Sequence, residues 1–169
     1  TISYGMGHIF RLLKEEVDGL MQGAVTRLPL EFETGAMRGA WHPQNGQLYT
    51  AGLYGWAGNK TRAGGFYRVR YTGQPVHLAN ALHFVRDGIV LGFTDPLDEK
   101  SATDPGNYNL TAWNYKWTAS YGSPDFKRDG QEGRDPWPVE SATLSADRKT
   151  VFLKVPDAQR VMQLHLVFN

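Results

Sequence analysis

A period of two in the apolar residues, repeated along almost the whole chain, constrains this sequence more than any other feature. Leu28, Leu30 and Phe32 alternate with Arg27, Pro29 and Glu31; Tyr49, Ala51 and Leu53 fall on one parity; Tyr67, Val69 and Tyr71 alternate with Arg68 and Arg70. Further along, Ile89, Leu91 and Phe93 form one such set and Val151, Leu153 and Val155 another. Met162, Leu164, Leu166 and Phe168 form a third, with Gln163 and His165 on the opposite side. Successive strand residues point to opposite faces, so the pattern describes strands with one face on a core and the other in water. The segments between them carry turn chemistry: Thr34-Gly35, Pro43-Gln44-Asn45-Gly46, Ala63-Gly64-Gly65, Asp95-Pro96, Asp104-Pro105-Gly106, Asp129-Gly130 and Ala146-Asp147-Arg148-Lys149. The sequence therefore predicts an all-β protein of antiparallel strands near 26–32, 37–42, 47–53, 65–71, 88–94, 108–117, 150–155 and 161–168, with helix confined to short turns. One segment is ambiguous, because Ile9, Leu12, Leu13, Val17 and Leu20 also fit a helical stripe. A strand at 8–12 is the expectation there.

The 169 residues are enough for one full domain or two small ones. Composition shifts near the breaker-rich Thr72-Gly73-Gln74-Pro75, since residues 1–73 hold 13 of the 19 glycines and eight basic residues against five acidic ones. Two parts are expected, 1–73 and 74–169. The abrupt opening at Thr1 suggests a piece of something larger. A formal net charge of +1 speaks against a nucleic-acid partner, which would ask for a strongly basic surface. No stretch approaches the roughly 18 consecutive apolar residues of a membrane-spanning helix. The chain has no Cys, so disulfides, thiolate metal sites, covalent haem and Cys nucleophiles are excluded at once.

Specific stretches resemble known families. Phe93-Thr94-Asp95-Pro96-Leu97-Asp98, Ser101-Ala102, Asn107-Tyr108, Ala142-Thr143-Leu144-Ser145-Ala146-Asp147 and Lys149-Thr150-Val151 resemble the bacterial Ig-like domains. In the first part, Met37-Arg38-Gly39, the run Trp41 to Tyr49 and the run Gly64 to Gly73 resemble the end of a β-propeller of the quinoprotein sugar dehydrogenase type. The two in this order look like the C-terminal region of large exported propeller proteins of planctomycete-type bacteria, often fused to cytochrome c or haem-binding modules. The resemblance implies propeller-like antiparallel strands followed by an Ig-like β-sandwich, and a periplasmic or secreted location. A blade takes roughly 40–45 residues and a ring about four blades or more, so residues 1–73 hold less than two blades and cannot close one. Missing propeller blades or fused redox domains are the partners this implies.

Catalytic chemistry finds little support. His8, His42, His77, His83 and His165 lack any spacing that sets two imidazoles on one metal. Asp95, Asp98 and Asp104 lack the order of a calcium loop and read as turn residues. There is no Gly-x-Ser-x-Gly elbow, and no carboxylate pair is singled out. Arg38 is the one cofactor candidate. The propeller resemblance implies an inner strand whose arginines face a quinone, and a planar guanidinium suits the quinone's carboxylates. An internal salt bridge is the alternative role for Arg38. The resemblance thus allows pyrroloquinoline quinone in a parent protein and no cofactor in this chain alone.

The sharpest local feature is Asn107–Tyr121, where Thr111, Trp113, Tyr115, Trp117 and Tyr121 share one parity. On a single strand the three central aromatics would stand about 7 Å apart in a flat row able to stack on sugar rings. The competing role is core packing, because large apolar patches are seldom left open. Three readings follow: a non-catalytic scaffold or interaction module of a larger redox or carbohydrate-related protein; a carbohydrate-binding module using Trp113, Tyr115, Trp117 and Tyr121; and a fragment of a quinone-dependent sugar dehydrogenase contributing Arg38. Exposure of the aromatic row separates the first two.

Overall fold

The computed structural model describes residues 1–55, 58–156 and 158–169. Among the described residues strand takes 46% and helix 4%, and all strand pairs are antiparallel, so the protein is all-β. The chain divides into two compact units, Thr1–Asn80 and Ala81–Asn169. Among the described residues no helix is long and apolar enough to cross a membrane.

The first unit holds two three-stranded sheets. One contains β1 (Ile2–Ser3), β2 (His8–Val17) and β3 (Leu20–Arg27) in that order; the other is the meander β4 (Arg38–Trp41), β5 (Leu48–Leu53) and β6 (Gly64–Val69). The ambiguous segment is strand over His8–Val17, beyond the expected 8–12, and again from Leu20. Asp18 and Gly19 both have positive φ, 52° and 78°, and form the two-residue turn that reverses β2 into β3. A helix through 9–20 cannot pass that turn. The pairing then runs from Val17↔Leu20 to Phe10↔Arg27.

The expected strand at 26–32 is corrected: β3 stops at Arg27 and 28–32 forms no ladder. Pro29 has no N–H to donate. The segment is instead tied by single bonds, Leu28 N to Ile9 O (2.9 Å), Leu30 N to Leu28 O (2.7 Å) and Phe32 N to Gly7 O (3.3 Å). Its alternation still serves the core, where Ile9, Phe32, Ala36 and Leu48 are buried and Ile2, Leu28, Leu30, Tyr67 and Val69 pack on them. Phe32 and Tyr67 rings meet at 4.9 Å. Here the backbone approach is close enough that a Cβ on Gly52 would collide with the Gly35 carbonyl.

The second unit packs two sheets face to face, a β-sandwich in general form. Its strands are β7 (Ala79–Val85), whose first two residues precede the unit boundary, β8 (Gly88–Phe93), β9 (Tyr108–Trp113), β10 (Asp135–Trp137), β11 (Ser141–Leu144), β12 (Thr150–Lys154) and β13 (Gln163–Phe168). One sheet runs β11-β12-β8-β7 and the other β10-β9-β13. Opposite partners in an antiparallel pair share a face. Leu91 with Val151 and Ile89 with Leu153 therefore form one inner face, and Leu110 with Trp137 and Leu166 forms the other. Ile89, Val151 and Leu153 are fully buried, and Phe93 meets Phe168 edge-to-face at 5.3 Å between the sheets. Each such side chain contributes about 2–3 kcal/mol on burial.

Three strands here had no sequence expectation: β7, β10 and β11. β10 is three residues long and contains Pro136, which an edge strand tolerates and a central strand does not. Among the described residues helix is confined to α1 (Glu99–Ala102) and a single 3₁₀ turn at Pro105–Asn107, as the sequence predicts. Asp98 caps the first by accepting from Ser101 N at 2.9 Å, and Asp104 caps the second by accepting from Gly106 N at 2.9 Å. The buried Tyr108 hydroxyl donates to the Ala102 carbonyl at 2.8 Å, which ties α1 to β9; burial raises its pKa.

Candidate aromatic loop

The expected single strand over 108–117 is corrected first. β9 ends at Trp113, and Asn114 turns to a new partner, exchanging both backbone bonds with Phe126 (2.8 and 2.9 Å). The chain therefore leaves the sheet carrying Tyr115, Trp117 and Tyr121 on a loop, and no flat row of four aromatics exists. Ser123 closes the loop: its Oγ accepts from Lys116 N at 3.0 Å and donates to the Pro124 carbonyl at 2.7 Å. Gly122, at φ 81°, allows the return.

Side chains brace the base of this loop. The Arg134 guanidinium lies 3.8 Å over the Trp113 ring while its Nε donates to Asp125 Oδ2 at 2.7 Å, so one cation ties the strand end to the loop's returning arm. Lys116 Nζ sits 3.8 Å over the Phe126 ring. Asn114 Oδ1 accepts from Met162 N at 3.0 Å, joining the loop base to the chain just before β13. Asp135 Oδ2 accepts from Arg128 N at 2.7 Å.

The four aromatics of the sequence reading thus fall into two groups. Trp113 is half-buried on the outer face of the β10-β9-β13 sheet, covered by Arg134. Tyr115 is 39% exposed, Trp117 is 91% exposed and Tyr121 is fully exposed. The tip Trp117–Gly122 contains no charged residue. Two large amphipathic rings on a braced, uncharged tip can stack on a flat partially apolar ligand. The bracing roles of Asn114, Ser123, Phe126 and Arg134 escaped the sequence reading, because their partners lie far apart in sequence.

Arg38 stands on the edge strand β4, exposed, opposite Ala51 in β5, which in turn faces Phe66 in β6. Its Nη1 donates to the Met37 carbonyl at 2.9 Å, and no carboxylate pairs with it among the described residues. An exposed arginine on an open sheet face is not the enclosed, multi-donor cradle that a tricarboxylate quinone requires, so the residues present do not fit that cofactor. Among the described residues no group of three or more His, Cys, Asp or Glu side chains is placed to hold a metal ion. An open depression of about 500 Å³ is lined by Glu33, Asn59, Lys60, Thr61 and Arg62, but its cations are already paired, Lys60 with Glu31 at 2.6 Å and Arg62 with Glu33. The ammonium of Lys60 holds Glu31 below the usual carboxylate range.

No protein-family model, no curated protein and no solved structure matches this chain.

Proposed function

We propose that this chain is a non-catalytic interaction module that docks a polysaccharide through the aromatic loop Tyr115–Tyr121. The observation that carries the reading is the exposure of Trp117 and Tyr121 on a tip braced at its base by Arg134 and Ser123. Two neighbouring large rings held open on a braced, uncharged tip favour a partner that covers them. Sugar rings suit them, because an aromatic face packs on a pyranose C–H face and needs no charge. The finer architecture belongs to the same proposal: a propeller-type meander in the first unit, an Ig-like sandwich in the second, and a periplasmic or secreted parent protein of redox or carbohydrate-related function. The β4–β5–β6 meander and the two facing sheets of the second unit support it.

The test is co-sedimentation of the full chain with insoluble cellulose, xylan and chitin. One indole face of about 80 Å² at ~25 cal/mol/Å² is about 2 kcal/mol, or about 30-fold in affinity. Trp117→Ala is expected to weaken binding by that factor, with little change between low and high salt. Unchanged binding in a Trp117→Ala/Tyr121→Ala double variant, or no binding to any of the three polymers, overturns the reading.

A further inference from the structure

We propose that the outer face of the β4–β5–β6 sheet is a second binding surface, for a carboxylated polysaccharide of uronate-type sugars. Register fixes which side chains share that face. Arg38, Ala51 and Phe66 lie directly opposite one another across the three strands, and the next row is Ala40, Tyr49 and Arg68. His42 and Arg70, one residue beyond β4 and β6, continue the same parity, and the ladder extends to His42 through its N–H bond to Gln47 O at 2.9 Å. The ring contacts agree with this placement: Tyr49 stacks on Phe66 at 5.8 Å with 28° between planes, and His42 meets Tyr49 at 5.8 Å. Phe66 is 73% exposed. The face that packs the core carries Leu48, Tyr67 and Val69 instead.

Charge completes the description. Arg38, Arg68 and Arg70 are exposed, and no carboxylate neutralises them among the described residues. The acids of this unit are engaged or placed elsewhere: Glu31 is held by Lys60, Glu33 by Arg62, and Glu15, Glu16 and Asp18 lie on the β2–β3 hairpin and its turn. The face is therefore a stacked aromatic pair, half-buried Tyr49 and open Phe66, flanked by three guanidinium groups that no carboxylate neutralises among the described residues. By strand geometry Arg38 and Arg68 stand about 12 Å apart, with Phe66 on the row of Arg38 and on the strand of Arg68. A guanidinium fork takes a carboxylate bidentately, and an exposed phenyl ring packs on a sugar face. An extended polymer bearing a carboxylate on each sugar presents both groups in repeating order. A nucleic acid fits less well, since three cations release few counterions and the stacked Tyr49–Phe66 pair leaves a single open ring.

This surface lies in the first unit and is independent of the loop reading, so the two are tested by different variants. The full chain is run by affinity electrophoresis in gels containing polygalacturonate, its fully methyl-esterified form, or single-stranded poly(dT). Polygalacturonate is expected to retard the chain, and the methyl ester to do so at least tenfold more weakly, because esterification removes the charge and keeps the sugar. Arg68→Gln and Phe66→Ala are each expected to weaken retardation at least fivefold, Arg68→Glu to abolish it, and raising NaCl from 50 to 300 mM to weaken it severalfold. Trp117→Ala leaves it unchanged. All three variants of the sheet face alter exposed side chains, and circular dichroism confirms their fold. Equal retardation by the methyl ester, equal or stronger retardation by poly(dT), or full retardation of Arg68→Glu each overturns the proposal.

Discussion

Arg134→Ala tests whether the aromatic loop is built or merely present. Its guanidinium makes two contacts at once, over the Trp113 ring at 3.8 Å and to Asp125 at 2.7 Å. A cation over an indole at a partly exposed site contributes about 0.5–1 kcal/mol. An ion pair whose partners are 45% and 36% exposed contributes about 0.2–1 kcal/mol. Loss of both predicts about 1–1.5 kcal/mol, which at a urea m-value near 2 kcal/mol/M lowers the midpoint by about 0.6 M. The two parts separate in a double-mutant cycle. Arg134→Ala and Trp113→Ala, alone and together, followed by far-ultraviolet circular dichroism in urea, should give a coupling energy of about 0.5–1 kcal/mol. The same Arg134→Ala chain should bind polysaccharide more weakly although Arg134 does not sit at the tip, because a looser loop pays more to order its rings on the ligand. A coupling below about 0.3 kcal/mol would refute the bracing role assigned to the pair.

Two further outcomes test the fold. Leu153→Ala, at a fully buried site opposite Ile89, should cost about 3 kcal/mol by thermal or chemical unfolding, whereas Leu12→Ser on the exposed face of β2 should change stability by less than about 0.5 kcal/mol. Asp98 and Asp147 are held below the usual aspartate range, the first by hydrogen bonds from Ser101 and the Arg148 charge, the second by the Ser145 hydroxyl and Lys149 N–H. A depressed folded pKa means stability that is present above the unfolded value, near pH 4, and is lost as pH falls through the folded one; urea midpoints should drop below about pH 4, and drop less in Asp98→Asn/Asp147→Asn.

The strands that could be read in advance are those whose alternation and pairing coincide. Ile89, Leu91 and Phe93 alternate, and β12 lies beside them with Val151 and Leu153 on the matching parity, so pattern and ladder say the same thing. β2 was harder for a reason of arithmetic. Ile9, Leu13 and Val17 recur every four residues, an interval that is one helical turn and also two strand repeats. Only the Asp18-Gly19 turn breaks the tie. Leu28, Leu30 and Phe32 show the opposite failure. Their alternation is genuine and fills the core, yet Pro29 and the bond from Leu30 N to Leu28 O keep the backbone out of any ladder. Burial pattern reports which side chains face inward; it does not report where the backbone hydrogen bonds go. β10 was illegible because three residues with a central proline carry no period at all.

The candidate site was half legible on the same principle. Parity correctly separates Trp113 from the inward residues Leu110 and Ala112, because that much is fixed by β9 itself. What lies beyond Trp113 depends on bonds between residues far apart in sequence, Asn114 with Phe126 and Met162, and Arg134 with Trp113 and Asp125. No local pattern encodes those partners. The same alternation that fills a core also sets an equal number of side chains on the outer face, where polar residues are the default. Aromatic residues on outward positions therefore depart from that default: Trp113 at the base of the braced loop, and Tyr49 with Phe66 among the arginines of the first unit. The core fixes where each sheet lies, and these outward rings and cations are what the two proposed binding surfaces rest on.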